Sequence, residues 1–101
     1  MVWRRDIEKH YENVSKAFTV LGLIDYNEFE VKNGIRAVIM KEMRLTCECI
    51  IDWLDDDKNK YSQTASLYLE TFELGYNINV IIEARTFIYQ LLAKPLSELL
   101  N

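Results

Sequence analysis

Three glycines and a single proline are all that punctuate this chain of 101 residues, and that scarcity constrains its fold more than any other feature. Sandwiches and barrels need frequent turns, which draw on glycine and proline, so a chain this sparsely interrupted builds long elements instead. The spacing of its apolar residues identifies those elements as helices. Trp3, Ile7, Tyr11, Val14, Phe18 and Leu21 recur in steps of four and three, which keeps them on one stripe of an amphipathic helix. Gly22 follows directly and is the residue type that closes a helix, so the first helix is expected over about residues 3–21.

The segment LIDYNEFEVKNGIRAV reads in two ways. Asp25 followed by Glu28 has the form of a capping box that opens a helix at Tyr26, and this short helical turn then breaks near Gly34. Asn33-Gly34 between partly alternating residues is also a hairpin signal. Because its flanks are short and imperfectly alternating, the helical turn is the expectation and a two-stranded hairpin the alternative.

From Ile35 the sequence IRAVIMKEMRLTCECIIDWL is apolar over more than half of a helical wheel. Ile35, Val38, Ile39, Met43, Thr46, Cys47, Ile50, Trp53 and Leu54 cover the arc, with Lys41, Arg44, Glu48 and Asp52 opposite. So wide an arc contacts several neighbours, which makes this the central helix. DDDKNK ends it, because successive aspartates at a helix C-terminus oppose the macrodipole. A third helix over about residues 62–74 carries the stripe Tyr61, Ala65, Tyr68, Phe72 and Tyr76 and closes at Gly75. Asn77 or Asn79 caps a fourth, whose stripe of Ile81, Ala84, Ile88 and Leu91 runs to Lys94. Pro95 either kinks it or opens a last turn. The expected architecture is all-α, a four-helix up-down bundle-like single domain over residues 1–101.

Charge narrows the class of partner. The formal net charge is −4, and no cluster of five or more basic residues supplies the footprint that phosphate-backbone binding requires. Direct nucleic-acid binding is therefore disfavoured, and an acidic chain suits a basic surface on another protein. The cysteines, Cys47 and Cys49, are too few for a disulfide framework and fit a reducing compartment. The opening MVWRRDIEKH lacks the apolar core of a signal peptide, and no run approaches the roughly 18 apolar residues of a membrane span. A cytoplasmic protein with no membrane contact is expected.

The octet RRDIEKHY contains Arg5, Asp6 and the chain's only histidine, His10. An arginine, a polar residue and a histidine at this spacing resemble the signature of the HEPN ribonucleases, a family of small all-helical domains. The resemblance covers six residues near the start of the chain and implies Arg5 and His10 as catalytic groups, Asp6 as their polar partner, and a site formed between protomers. Read from the residues alone, Arg5 and His10 stand about 140° apart on a continuous helix. That places an exposed arginine and a histidine at the edge of the apolar stripe.

Asp55, Asp57 and Asn59 occupy the first, third and fifth positions of an EF-hand-like loop. Such a loop needs glycine at the sixth position and a bidentate glutamate at the twelfth, where this chain has Lys60 and Ser66. The run reads instead as a solvated acidic turn. Asp52, Asp55, Asp56 and Asp57 then form a compact negative patch able to dock on lysines or arginines of a partner. In TCEC the two cysteines lie about 200° apart on a helix and read as free thiols without a zinc ligand set. The pairs Glu48 with Asp52 and Glu70 with Glu73 read as solvated helix faces. No Glu-x-x-His pair, glycine-rich phosphate loop or nucleophile elbow occurs, so neither a metal, a cofactor nor an enzymatic activity is expected.

Leu69, Phe87 and Tyr89 lie off their helices' main stripes, and aromatic groups so placed are common interface anchors. They mark a second face, used for a homodimer or a partner. The expected function is a small acidic helical interaction module that inhibits or regulates another protein. By analogy of type this is the manner of phage or plasmid accessory proteins such as defence-nuclease inhibitors, antitoxins and immunity proteins. The alternatives are a dimeric HEPN-like ribonuclease and a regulator touching nucleic acid through Arg4, Arg5 and Lys9.

Overall fold

The computed structural model describes residues 2–25 and 27–100, without the side chains of Val2 and Trp3. Trp3, at the head of the first predicted stripe, and Tyr26, expected to open a helix, thus lie outside the described groups. The elements are α1 (Val2–Leu23), α2 (Phe29–Leu54), α3 (Lys60–Glu73), α4 (Ile78–Ala93) and the single turn α5 (Leu96–Leu99), with no strand among the described residues.

Contacts between helices give their directions. On the seam between α1 and α4, Arg4 donates to the Leu92 carbonyl while Arg85 Nη2 donates to Ser15 Oγ at 3.1 Å, so these helices run antiparallel. His10 meets Glu42 across α1 and α2, and Tyr68 meets Glu83 across α3 and α4. The result is the expected up-down order. One apolar cluster is fed by every helix: Ile7 and Val14 from α1, Ile39, Met43, Cys47 and Ile50 from α2, Ala65 and Phe72 from α3, the whole predicted stripe of α4, and Leu99 from α5. Burying a Leu, Ile or Phe contributes about 1.5–3 kcal/mol each, and it is these side chains that hold the helices together.

Helix boundaries depart from expectation at Gly22 and Gly34. Gly22 does not close α1, which continues to Leu23. No break or hairpin forms at Asn33-Gly34, because α2 runs through both residues without interruption. The ladder begins ahead of both residues, with Lys32 N–H donating to the Glu28 carbonyl at 3.0 Å, and after them Ile35, Val38 and Glu42 line one groove with Asn13, Ala17 and Val20 of α1. Glycine inside a helix costs only about 1 kcal/mol, too little by itself to end α2. The second helix also starts later than the capping-box pattern suggests. Glu28 N–H donates to the Asp25 carbonyl at 3.1 Å, forming a turn, and Glu28 is the N-cap of α2 without a side-chain cap bond.

The remaining boundaries follow local chemistry. Asp55 closes α2 in the left-handed conformation, φ 44°, with its N–H on the Ile51 carbonyl. Asn59 Oδ1 accepts from the N–H groups of Tyr61 and Ser62, so α3 begins at Lys60, ahead of the predicted Ser62. Asn77, rather than Asn79, caps α4, and Pro95 precedes α5.

Antiparallel order gathers the α1–α2 and α3–α4 connections at one end of a molecule 48 Å long. Arg36 lies over Tyr76 beyond the end of α3, so the first turns of α2 project past the point where α3 gives way to α4. That end leaves Leu23, Phe29, Val31 and Leu74 exposed. The α2–α3 turn, with its aspartates, is at the opposite end.

Candidate functional site

The acidic turn is held by hydrogen bonds that engage one carboxylate, that of Asp56, and the Gln63 side chain. Asp56 Oδ1 accepts from Lys58 N–H at 2.9 Å, the Asp56 carbonyl accepts from Asn59 N–H at 3.1 Å, and Gln63 Nε2 donates to the Asp57 carbonyl at 3.2 Å. Asp52 stands on the exposed face of the last turns of α2, and Asp55 is turned outward at its C-cap. All four predicted aspartates, Asp52, Asp55, Asp56 and Asp57, line one open groove of about 720 Å³. Among the described residues none of them joins an ion pair.

The groove is more than a charged rim. Ile51 and Leu67 supply apolar surface to it, and Leu67 is 63% exposed. Ser62, from the first turn of α3, also lines the groove, and its buried Oγ has no hydrogen-bond partner. The arrangement suits a basic side chain on a partly apolar segment: carboxylates for the charge, isoleucine and leucine for the stem. Asn59 is not available as a calcium ligand of the EF-hand kind, since its amide caps α3 and donates to the Leu99 carbonyl. Among the described residues no group of three or more His, Cys, Asp or Glu is gathered to hold a metal ion.

The predicted aromatic face divides. Leu69 and Phe87 are half-buried against the core, and the Phe87 ring sits 5.7 Å from that of Tyr68. Tyr89 is 64% exposed. Its neighbours on the outer face of α4 are Ile82, Arg85 and Thr86, which join it in lining a pocket of about 250 Å³ against Tyr11. The i, i+3, i+4, i+7 spacing of Ile82, Arg85, Thr86 and Tyr89 is a second stripe beside the core stripe. That spacing is visible in the sequence, although its polar members conceal it.

The residues of the HEPN-like motif are not assembled within one protomer. Arg5 is exposed and makes no hydrogen bond or ion pair among the described residues. His10 is partly buried, with Nδ1 2.5 Å from Glu42 Oε2. Asp6 is half-buried on α1, and its charge helps raise the Cys49 thiol, after burial and ahead of Asp52 and Glu48. Cys47 is buried, and burial with the adjacent Glu48 pushes its thiol up to about 12. Both cysteines are free.

No described helix is long and apolar enough to cross a membrane. Comparison with protein-family models, curated proteins and solved structures finds no match.

Proposed function

We propose that this chain is a protein-binding module that docks its acidic groove onto a basic, partly apolar segment of another protein and thereby inhibits or regulates it. The observation that carries this reading is the groove lined by Asp52, Asp55, Asp56 and Asp57, free of ion pairs among the described residues, with Ile51 and Leu67 beside them. Like charges held this close repel one another at a cost to the fold, and a basic partner relieves that repulsion while supplying complementary potential. Phage and plasmid accessory proteins of the inhibitor, antitoxin or immunity type are the class that such a module suits, by analogy alone.

The test is calorimetric titration with a capped peptide of alternating lysine and leucine, against the wild type and a variant with the four aspartates changed to asparagine. Binding that weakens with salt and falls at least about tenfold in the variant, roughly the coupling of a single good charge pair, supports the reading. Equal binding by both proteins sinks it.

Self-association is the second reading, favoured by the opposite end of the molecule, where Leu23 is 82%, Phe29 67% and Leu74 89% exposed. Light scattering that shows only monomer throughout the micromolar range removes it.

A further inference from the structure

Arg85 sits on the α1–α4 seam, bonded to Ser15 and flanked by Tyr11 and Phe18. Its Nη2 donates to Ser15 Oγ at 3.1 Å, and the guanidinium lies 4.7 Å from the ring centre of Phe18 and 5.8 Å from that of Tyr11. Its Nε is buried and unpartnered, and no carboxylate pairs with it among the described residues. Aromatic faces offset part of the desolvation of such a cation, but they do not satisfy its donors. In a chain of net charge −4, an arginine left without an acid while acids elsewhere are left without bases is a separation that the fold maintains.

The pocket beside it has the matching chemistry. Tyr11, Ile82, Arg85, Thr86 and Tyr89 line it. Neither tyrosine hydroxyl has a hydrogen-bond partner among the described residues, and Thr86 Oγ1 already donates to the Ile82 carbonyl at 3.1 Å. The groups with donors to spare are thus a guanidinium, only one of whose terminal nitrogens is engaged, by Ser15, and two phenols, with Ile82 as an apolar wall. Tyrosine and arginine together are also the residue types that dominate binding energy at protein interfaces.

We propose that this pocket binds a carboxylate presented by an acidic side chain of a partner protein. A single guanidinium matches the single charge of a carboxylate, whereas a phosphoryl group carries about −1.5 to −2 and no second cation lines the pocket. The inference rests on the reading of the chain as a protein-binding module, but the pocket lies between α1 and α4 and owes nothing to the acidic groove between α2 and α3.

The experiment is an NMR titration of the full chain with the capped tripeptide Ac-Leu-Glu-Leu-NH2, its neutral counterpart Ac-Leu-Gln-Leu-NH2, and inorganic phosphate, at constant ionic strength. The signals followed are Arg85 Nε–Hε and the amides of Thr86 and Tyr89, with those of residues 55–57 reporting separately on the acidic groove. The glutamate peptide should move the Arg85 set to saturation. The glutamine peptide, and Arg85→Gln titrated with the glutamate peptide, should bind at least about tenfold more weakly, as the loss of a charged hydrogen bond implies. Arg85→Lys, which keeps the charge and the stem, should fall between, and serves if Arg85→Gln does not fold. Equal binding of the two peptides by the wild type overturns the proposal, as does absence of saturation, or phosphate binding more tightly than the glutamate peptide. Failure at Arg85 with lysine-peptide binding intact at the acidic groove would remove this pocket alone.

Discussion

Asn59 Nδ2 donates to the Leu99 carbonyl at 2.6 Å across 40 positions of sequence, while its Oδ1 caps α3. One buried amide therefore fixes both the start of α3 and the last turn of the chain, whose Leu99 side chain is fully buried. Removing it forfeits an N-cap, about 1 kcal/mol, and strands a carbonyl, about 1–3 kcal/mol. Asn59→Ala should lower unfolding free energy by about 2–4 kcal/mol in urea denaturation. Asn59→Asp retains the cap but loses the donor, so it should also destabilise. A loss below about 1 kcal/mol in Asn59→Ala would remove this latch from the account.

The glycines within α2 and after α3 should respond in opposite senses. A Cβ at Gly34 meets nothing within 4 Å, and the residue lies inside a helix, so Gly34→Ala should stabilise by about 0.5–1 kcal/mol. Gly75 has equally open surroundings but φ +125°, a conformation that side chains resist, so Gly75→Ala should destabilise by about 1–2 kcal/mol. Thermal unfolding of the two variants checks the pair. Destabilisation by Gly34→Ala would argue for a break in α2 at that residue.

Asp55 carries two penalties at once: a left-handed backbone, φ 44°, and a negative charge at the C-terminus of α2. Asp55→Gly should raise stability by about 1 kcal/mol and, under the proposed function, weaken capture of a basic peptide. A variant that is neither more stable nor weaker in binding would show that Asp55 serves neither fold nor groove.

Alkaline pH should destabilise the fold through two groups. Burial and Glu48 push the Cys47 thiol from 9.0 up to about 12. The Tyr68 phenol rises from 10.0 to about 12, first through burial and then through its hydrogen bond to Glu83. In each case the folded state favours the protonated form, so the contribution is complete below the unfolded value and is lost as pH climbs towards 12. Unfolding free energy should thus decline above about pH 9, with a shallower slope in Cys47→Ala. At pH 8 the folded protein should also shield Cys47 from thiol reagents; labelling as fast as in urea would contradict this.

Much of the architecture was legible in local pattern. The stripe of Ile81, Ala84, Ile88 and Leu91 is buried as its spacing requires, and four aspartates within six positions line one groove because chain proximity alone keeps them together. Phe87 shows where pattern stops. It lies off the main stripe of α4, yet it packs on Tyr68 because α3 approaches from that side, and no periodicity within α4 contains that information.

The sequence by itself therefore determined the helices and the acidic turn, since both depend on residues a few positions apart and on the 3.6-residue repeat. The tertiary structure decided the rest. It carries α2 as one helix through Gly34, where local pattern predicts a break, at the roughly 1 kcal/mol that a glycine costs inside a helix. It joins Asn59 to Leu99, and among the described residues it leaves Arg85 on aromatic rings without an acid. The last two are distances between residues far apart in the chain, and only the packing of whole helices sets them.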